Sequence, residues 1–178
     1  TIDTKEPTVT SFTLSDSALI VGDTATVTLV FSEAVSGFSS SADITVQNGT
    51  LTTMTSSDNI TWTGTFTPTD NIEDTTNILT LGTNYTDTAG NSGPSNTTSN
   101  YTIDTKEPTV TSFTLSDSSL KVGETATVTL TFSEAVSGFN SNNDITKQNG
   151  TLSLMTSSND ITWTGTFTPT DNIEDTTN

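Results

Sequence analysis

No cysteine, histidine or arginine occurs among the 178 residues. Without cysteine there are no disulfides and no thiolate metal sites, and without histidine the commonest general base and zinc ligand is missing. Positive charge is scarce as well: four lysines stand against 21 acidic residues, a formal net charge of −17. Phosphate binding needs Lys and Arg to displace counterions, so nucleic acid and anionic membrane surfaces are excluded as partners. No apolar run approaches the roughly 20 residues of a membrane span, and no leader-peptide pattern occurs. That argues against membrane insertion of this stretch and is silent on secretion. Apolar residues make up 29% of the chain, well short of the ~45–50% usual in a globular domain, so any core is thin. Threonine and serine fill the difference, and with sparse proline and no low-complexity linker, disorder is a poor reading despite the charge. The ligand set that survives these absences is carboxylate and carbonyl oxygen, which suits a hard cation such as Ca2+.

What is abundant is repetition. The first 17 residues recur letter for letter at 102–118, an offset of 101 residues. Aligning 1–77 with 102–178 leaves 12 differences and no gap, the mark of tandem duplication. A period of this length is the size of one compact domain, longer than the ~20–45 residues of a solenoid unit, and predicts an array of separate beads. The chain therefore divides into a complete repeat, 1–104, and a second repeat, 105–178, without counterparts of 78–101. Losing the last two strands would expose inner-face apolar surface and unpaired strand edges. The second repeat is thus expected to be partly ordered or completed by a neighbouring molecule.

Period-2 alternation marks two half-buried strands. Ala25, Val27, Leu29 and Phe31 alternate with Thr24, Thr26 and Thr28, and Ile60, Trp62 and Phe66 alternate with Thr61, Thr63 and Thr65. The duplicate tests the parity: Val30, facing outward, becomes Thr131, while the four inward positions are unchanged. With turn residues as punctuation, strands fall near 8–15, 24–32, 43–47, 50–55 after the Asn48-Gly49 turn, 59–67, 78–83 and 96–103. Seven strands and no helical period predict tandem antiparallel β-sandwiches of immunoglobulin type, with Trp62 and Trp163 as core residues. An odd strand number puts entry and exit at opposite poles, so units chain head to tail.

Tracing the strands pole to pole sorts the acids. The entry pole collects Asp3, Glu6, Glu33 and the 84–91 loop with Asp87 and Asn91. The exit pole collects Asp16, Asp23, the 70–74 loop with Asp70, Glu73 and Asp74, and the outgoing Asp104. Where one repeat meets the next, Asp70, Glu73, Asp74 and Asp104 face Glu107 and Glu134, and the second copy carries Asp171, Glu174 and Asp175 at the equivalent exit positions. Like charges ~5 Å apart at an effective dielectric of ~20 repel by roughly 3 kcal/mol, so a joint this acidic calls for cations. Two linker lysines, Lys5 and Lys106, are too few, and several Ca2+ ions per repeat are expected at both poles. Pro7 and Pro108 stiffen the same linker. The competing reading is that acids serve solubility, which suffices for scattered residues such as Asp16, Asp43 and Asp58. No EF-hand or Gly-Gly-x-Gly-x-Asp spacing occurs.

Several phrases together are more specific: Asp-Thr-x-x-Pro-Thr-Val-Thr at 3–10, Thr-Ala-Thr-Val-Thr-Leu at 24–29, Phe-Ser-Glu-Ala-Val-Ser-Gly-Phe at 31–38, Trp-Thr-Gly-Thr-Phe-Thr-Pro-Thr at 62–69 and Tyr-Thr-Asp-Thr-Ala-Gly-Asn at 85–91. Together with Asn-Gly-Thr-Leu at 48–51, they resemble the bacterial immunoglobulin-like extender repeats of giant repeats-in-toxin (RTX) adhesins, a family that includes biofilm-associated surface proteins and a marine ice-binding adhesin. The resemblance implies a calcium-dependent β-sandwich on the bacterial cell surface, present in many tandem copies, that holds a ligand-binding tip away from the cell. It also implies calcium ligands at Asp3, Glu6, Glu33, Asp87, Asp104, Glu107 and Glu134.

Three functions compete. The first is a non-catalytic extracellular spacer whose partners are neighbouring repeats and which takes no small-molecule substrate. The second is a ligand-binding adhesion module for glycan or ice, although the Thr-x-Thr runs are explained by β-propensity and a twisted sandwich presents no flat array. The third is a glycosidase-like enzyme, which these loop acids without an evident cleft support least.

Overall fold

The computed structural model describes residues 2–177, in two compact units, Thr1–Lys106 and Glu107–Asn178. The first unit runs β1 (Val9–Leu14), β2 (Ala18–Ile20), β3 (Ala25–Phe31), β4 (Val35–Ser36), a single helical turn α1 (Ser40–Asp43), β5 (Ile44–Thr45) and β6 (Gly49–Leu51). It continues through β7 (Thr61–Pro68), β8 (Glu73–Asn77), β9 (Thr80–Leu81), β10 (Thr86–Asp87), β11 (Asn96–Thr97) and β12 (Tyr101–Asp104). One four-stranded sheet has the order β1-β3-β7-β6; smaller sheets have the orders β2-β12-β8, β11-β9-β5 and β10-β4. The architecture is an Ig-like β-sandwich.

The alternation of β3 builds the core directly. Ala25, Val27, Leu29 and Phe31 are sealed from solvent, and between them Thr26 is exposed while Thr28 and Val30 are half-buried. Those four side chains join Phe12 from β1, Phe66 from β7, Leu19, Leu79, Leu81, Tyr101 and Ile103 in one cluster between the large sheet and the smaller ones. Aromatic rings seal one end of it: Phe38 stands edge-on to Trp62 at 4.9 Å, and Phe31 lies 5.0 Å from Tyr85. Trp62 packs half-buried against this cluster, its indole nitrogen buried and without a hydrogen-bond partner among the described residues. Gly49 is required by close approach, because any Cβ there would strike the ring of Phe66.

Several elements differ from the sequence expectation. The strand expected near 96–103 is broken into β11 and β12, and the strands expected near 43–47 and 50–55 shorten to β5 and β6. Four stretches expected to be loops form strands instead: β4 pairs with β10, β2 pairs in parallel with β12, and β8 pairs with β12 from the other side. The 70–74 stretch is therefore not a free loop, since Glu73 and Asp74 lie on β8. Asp43 is not a scattered surface acid either. It is buried, its carboxylate accepts from the Ser39 amide at 2.8 Å, and its carbonyl accepts from the Gly82 amide at 2.7 Å.

A buried polar network ties β8 to β12. Asn77, fully enclosed, donates from Nδ2 to the carbonyls of Asp74 at 3.0 Å and Tyr101 at 3.2 Å, and its Oδ1 accepts from Asn48 at 2.8 Å. Replacing Asn77 with alanine strands these partners in a water-poor site, and is expected to lower the stability of the first unit by about 2–3 kcal/mol. Denaturant titration checks this; a change below about 0.5 kcal/mol, the range of ordinary surface substitutions, would contradict the assignment.

The second unit holds β13 (Val110–Leu115), β14 (Ala126–Phe132), a helical turn α2 (Ser141–Asp144), β15 (Gly150–Leu152) and β16 (Thr162–Pro169), in one sheet of order β13-β14-β16-β15. This is the four-stranded sheet of the first unit with its register intact: Ala25↔Phe66 becomes Ala126↔Phe167. Its core cluster is Val128, Leu130, Leu152 and Met155, with Phe132, Phe139, Ile145, Trp163 and Phe167 packed half-buried around it. Among the described residues no helix is long and apolar enough to cross a membrane.

Candidate functional site

Three separate stretches of the first unit converge at one end. The chain enters along Asp3–Thr8, and two contacts fasten this segment. Ser32 donates its amide to the Thr8 carbonyl at 2.8 Å, and its hydroxyl accepts from the Thr8 amide at 2.9 Å. Asn91 reaches across from the loop after β10 and donates to the carbonyl of Lys5 at 3.2 Å and, more weakly, of Asp3 at 3.4 Å. Glu33 comes after Ser32 at the end of β3, and Asp87 ends β10, which pairs with β4 in the register Asp87↔Val35. As a result one carboxylate oxygen each from Asp3, Glu33 and Asp87 lie within 4.8 Å of one another. Asp3 is exposed, Glu33 half-buried and Asp87 buried.

Asp87 organises its own loop. Its Oδ1 accepts from the amides of Ala89 and Asn91, each at 2.8 Å, and its Oδ2 accepts from Asn91 Nδ2 at 2.7 Å. Gly90 completes the turn with φ of 96°, a conformation that favours glycine. Beneath it Tyr85 donates its hydroxyl to the Pro94 carbonyl at 2.7 Å, and its ring fills the space where a Cβ on Gly93 would stand. Burial, aided by the Asp43 carboxylate, pushes the Tyr85 phenol up to about 12. The hydroxyl therefore stays protonated and donating at any physiological pH.

The Asn91 side-chain amide is the main influence holding the Asp87 carboxyl below the ordinary aspartate range; the amides of Asn91, Ala89 and Gly90 add to it, and burial opposes it. The folded state thus prefers the ionised form. The stabilisation it brings is present above the unfolded aspartate value of ~3.9 and is lost as pH falls through the lower folded value. Hydrogen exchange at the Ala89 and Asn91 amides is accordingly expected to stay slow until pH drops below about 4. Loss of protection near pH 5 would show that Asp87 does not hold the loop.

Of the other candidate residues, the structure commits several elsewhere. Asp74 spends Oδ1 on the Thr76 amide and hydroxyl and Oδ2 on Asn48 Nδ2, contacts that hold its carboxyl below the usual range. Glu73 forms an ion pair with Lys106 at 3.1 Å and lies opposite Asp104 across β8 and β12. Asp70 and Glu6 are exposed, and neither joins the three-carboxylate group. Asn91 points its donating amide, not a ligating oxygen, at Asp87 and the entry carbonyls. In the second unit Glu107, Asp171 and Glu174 are exposed and Glu134 is half-buried, while Asp175 repeats the Asp74 pattern with Thr177 and Asn149. Among the described residues, the three-carboxylate group is Asp3, Glu33 and Asp87 alone.

The chain belongs to the family of bacterial Ig-like domains, whose model matches residues 3–103 and again 104–178. Among solved structures, that of FdeC, an Escherichia coli adhesin, is similar at 12% identity, covering 90% of this chain and 55% of its own, with a TM-score of 0.42. The chain thus spans about half the length of that structure. No curated protein matches the chain.

The donor set at the three-carboxylate group fits a hard divalent cation. All three ligand atoms are carboxylate oxygens, and among the described residues no lysine forms an ion pair with any of them. Calcium accepts 6–8 oxygens in irregular geometry, which backbone carbonyls and water complete readily. Bound there, it would supply charge neutralisation and cross-link the entry segment, the β3 end and the Asp87 loop.

Proposed function

We propose that the chain is a non-catalytic spacer from a long bacterial surface adhesin, an extracellular protein in which repeats of this kind are stabilised by calcium and hold a ligand-binding region away from the cell. The supporting observation is the convergence of Asp3, Glu33 and Asp87, three carboxylates from three segments remote in sequence, at the end where the chain enters the unit. Without a cation each close pair opposes folding by up to roughly 3 kcal/mol at an effective dielectric of ~20, less for the exposed Asp3. A calcium ion reverses the sign of that contribution. Asp104 and Glu134 stand at the positions of Asp3 and Glu33 one 101-residue period on. Calcium there would stiffen the connection, alongside Pro7 and Pro108. Membership of the RTX extender group rests on the shared phrases of sequence.

Small-angle scattering of the 178-residue chain in millimolar calcium and in chelator tests the stiffening. The expected result is a more extended profile with calcium. Superimposable profiles would rule the clamp out.

A further inference from the structure

Two backbone demands meet at Asn48-Gly49, where the chain turns into β6. Asn48 has φ of 50°, a left-handed conformation that few side chains other than asparagine adopt readily. Gly49 opens β6 opposite Pro68, and any Cβ there would strike the ring of Phe66. The second copy keeps both conditions: Asn149 has φ of 53°, and a Cβ on Gly150 would strike Phe167. The fold therefore calls for asparagine followed by glycine. That pair is also the chemically labile one, because a glycine puts no side chain in the way when its backbone nitrogen attacks the preceding side-chain amide.

In the first unit the reactive amide is tied down. Asn48 is half-buried, and its Nδ2 donates to Asp74 Oδ2 and to Asn77 Oδ1, each at 2.8 Å. These bonds turn the side chain to β8, and Asn77 behind it is fully enclosed. The backbone is held as well, since the Asn48 carbonyl accepts from the Thr69 amide at 2.9 Å and Gly49 is paired within the sheet.

We propose that Asn48-Gly49 is a latent self-modification site, closed by this network in the folded repeat and opened when the repeat unfolds. The Gly49 backbone nitrogen gives up its proton and attacks Cγ of Asn48. A C–N bond forms to close a succinimide ring, the Cγ–Nδ2 bond breaks, and ammonia leaves with the proton. Water then opens the ring to aspartate or isoaspartate at position 48.

The product does not fit the fold. Aspartate at 48 has no N–H to donate, so its carboxylate faces Asp74 Oδ2 and Asn77 Oδ1, acceptor against acceptor and charge against like charge. Isoaspartate lengthens the backbone at the turn and disturbs the Gly49↔Pro68 pairing. A repeat that reacts while unfolded does not regain the network, and its unfolding becomes one-way.

The test holds the 178-residue chain in mildly alkaline buffer, folded or in unfolding urea, and follows each asparagine by peptide mass mapping and isoaspartate detection. In urea, Asn48 is expected to react ahead of every asparagine not followed by glycine. In the folded chain its rate is expected to fall at least about tenfold, because reaction waits for local opening. The chain carrying Asn48→Asp is expected to exchange amide hydrogens across Glu73–Asn77 at least about tenfold faster than the parent. Asn48→Gly keeps the left-handed turn and adds no charge, and is expected to change that exchange less. Equal rates at Asn48 in the two conditions, no preference for Asn48 in urea, or parent-like exchange in the Asn48→Asp chain would each overturn the proposal. No metal takes part in these contacts, so the outcome is independent of the calcium reading.

Discussion

Removing calcium with a chelator is expected to lower the melting temperature of the first unit by about 15 °C or more. An ion that binds the folded state alone stabilises it by about 4 kcal/mol at 1,000 times its dissociation constant. For a domain of this size each kcal/mol moves the midpoint by roughly 4–8 °C. The effect is large because three carboxylate oxygens lie within 4.8 Å and no lysine among the described residues pairs with them. Glu33→Gln is the informative substitution. Asp87 also holds its loop through the Ala89 and Asn91 amides, so changing it would unsettle the fold for reasons unrelated to a metal. The Glu33→Gln chain is expected to melt at nearly the same temperature with and without chelator. If sodium chloride at ~0.5 M restores the wild-type midpoint in chelator, the effect is screening of repulsion and not a bound ion.

The second large effect comes from making one substitution twice. Phe12 and Phe113 occupy the same position in identical local sequence, Thr-Ser-Phe-Thr-Leu, yet one is buried in a two-layer core and the other is half exposed on a single sheet. Phe12→Ala is expected to cost the first unit about 3–4 kcal/mol, the usual range for a large core aromatic. Phe113→Ala is expected to cost the second unit less than about 1 kcal/mol, since little apolar area leaves water there in the folded state. Native-state hydrogen exchange reads each unit separately. Equal costs would mean that the second unit builds a core of its own kind despite the uncovered sheet.

The parts of this fold that can be read from sequence are those where burial alternates. The inward residues of β3 are unbroken from Ala25 to Phe31 and stand beside threonines, so their parity is plain, and the Val30 to Thr131 exchange confirms it. β8 gives no such signal. Its sequence Glu-Asp-Thr-Thr-Asn contains no apolar residue, and its one sealed side chain is Asn77, held by hydrogen bonds and not by hydrophobicity. β2 is three residues long with a single buried side chain, Leu19, too short to show a period. Neither strand shows a pattern of its own, because the neighbour between them, β12, is remote in the chain and pairing with it defines both.

The candidate site was legible for a topological reason. Ordering the strands pole to pole placed the entry segment, the stretch after β3 and the 84–91 loop at one end, which is where Asp3, Glu33 and Asp87 lie. The same ordering grouped Asp70, Glu73, Asp74 and Asp104 as a second set, but charge counting does not distinguish a ligand from a cap. At Asp74 the carboxylate folds onto the amide and hydroxyl of Thr76, two residues on. The pair Asp58 and Asn159 makes the same point. Each accepts from the amides two and three residues on, so the role survives loss of the charge and needs no cation.

Calorimetric titration of calcium into the 178-residue chain, beside the chain carrying Asp3→Asn and Glu33→Gln, tests the central claim most directly. A saturable calcium site is expected in the first chain and none in the second, at unchanged folded content. No saturable heat in the first chain, or the same isotherm in both, would contradict it.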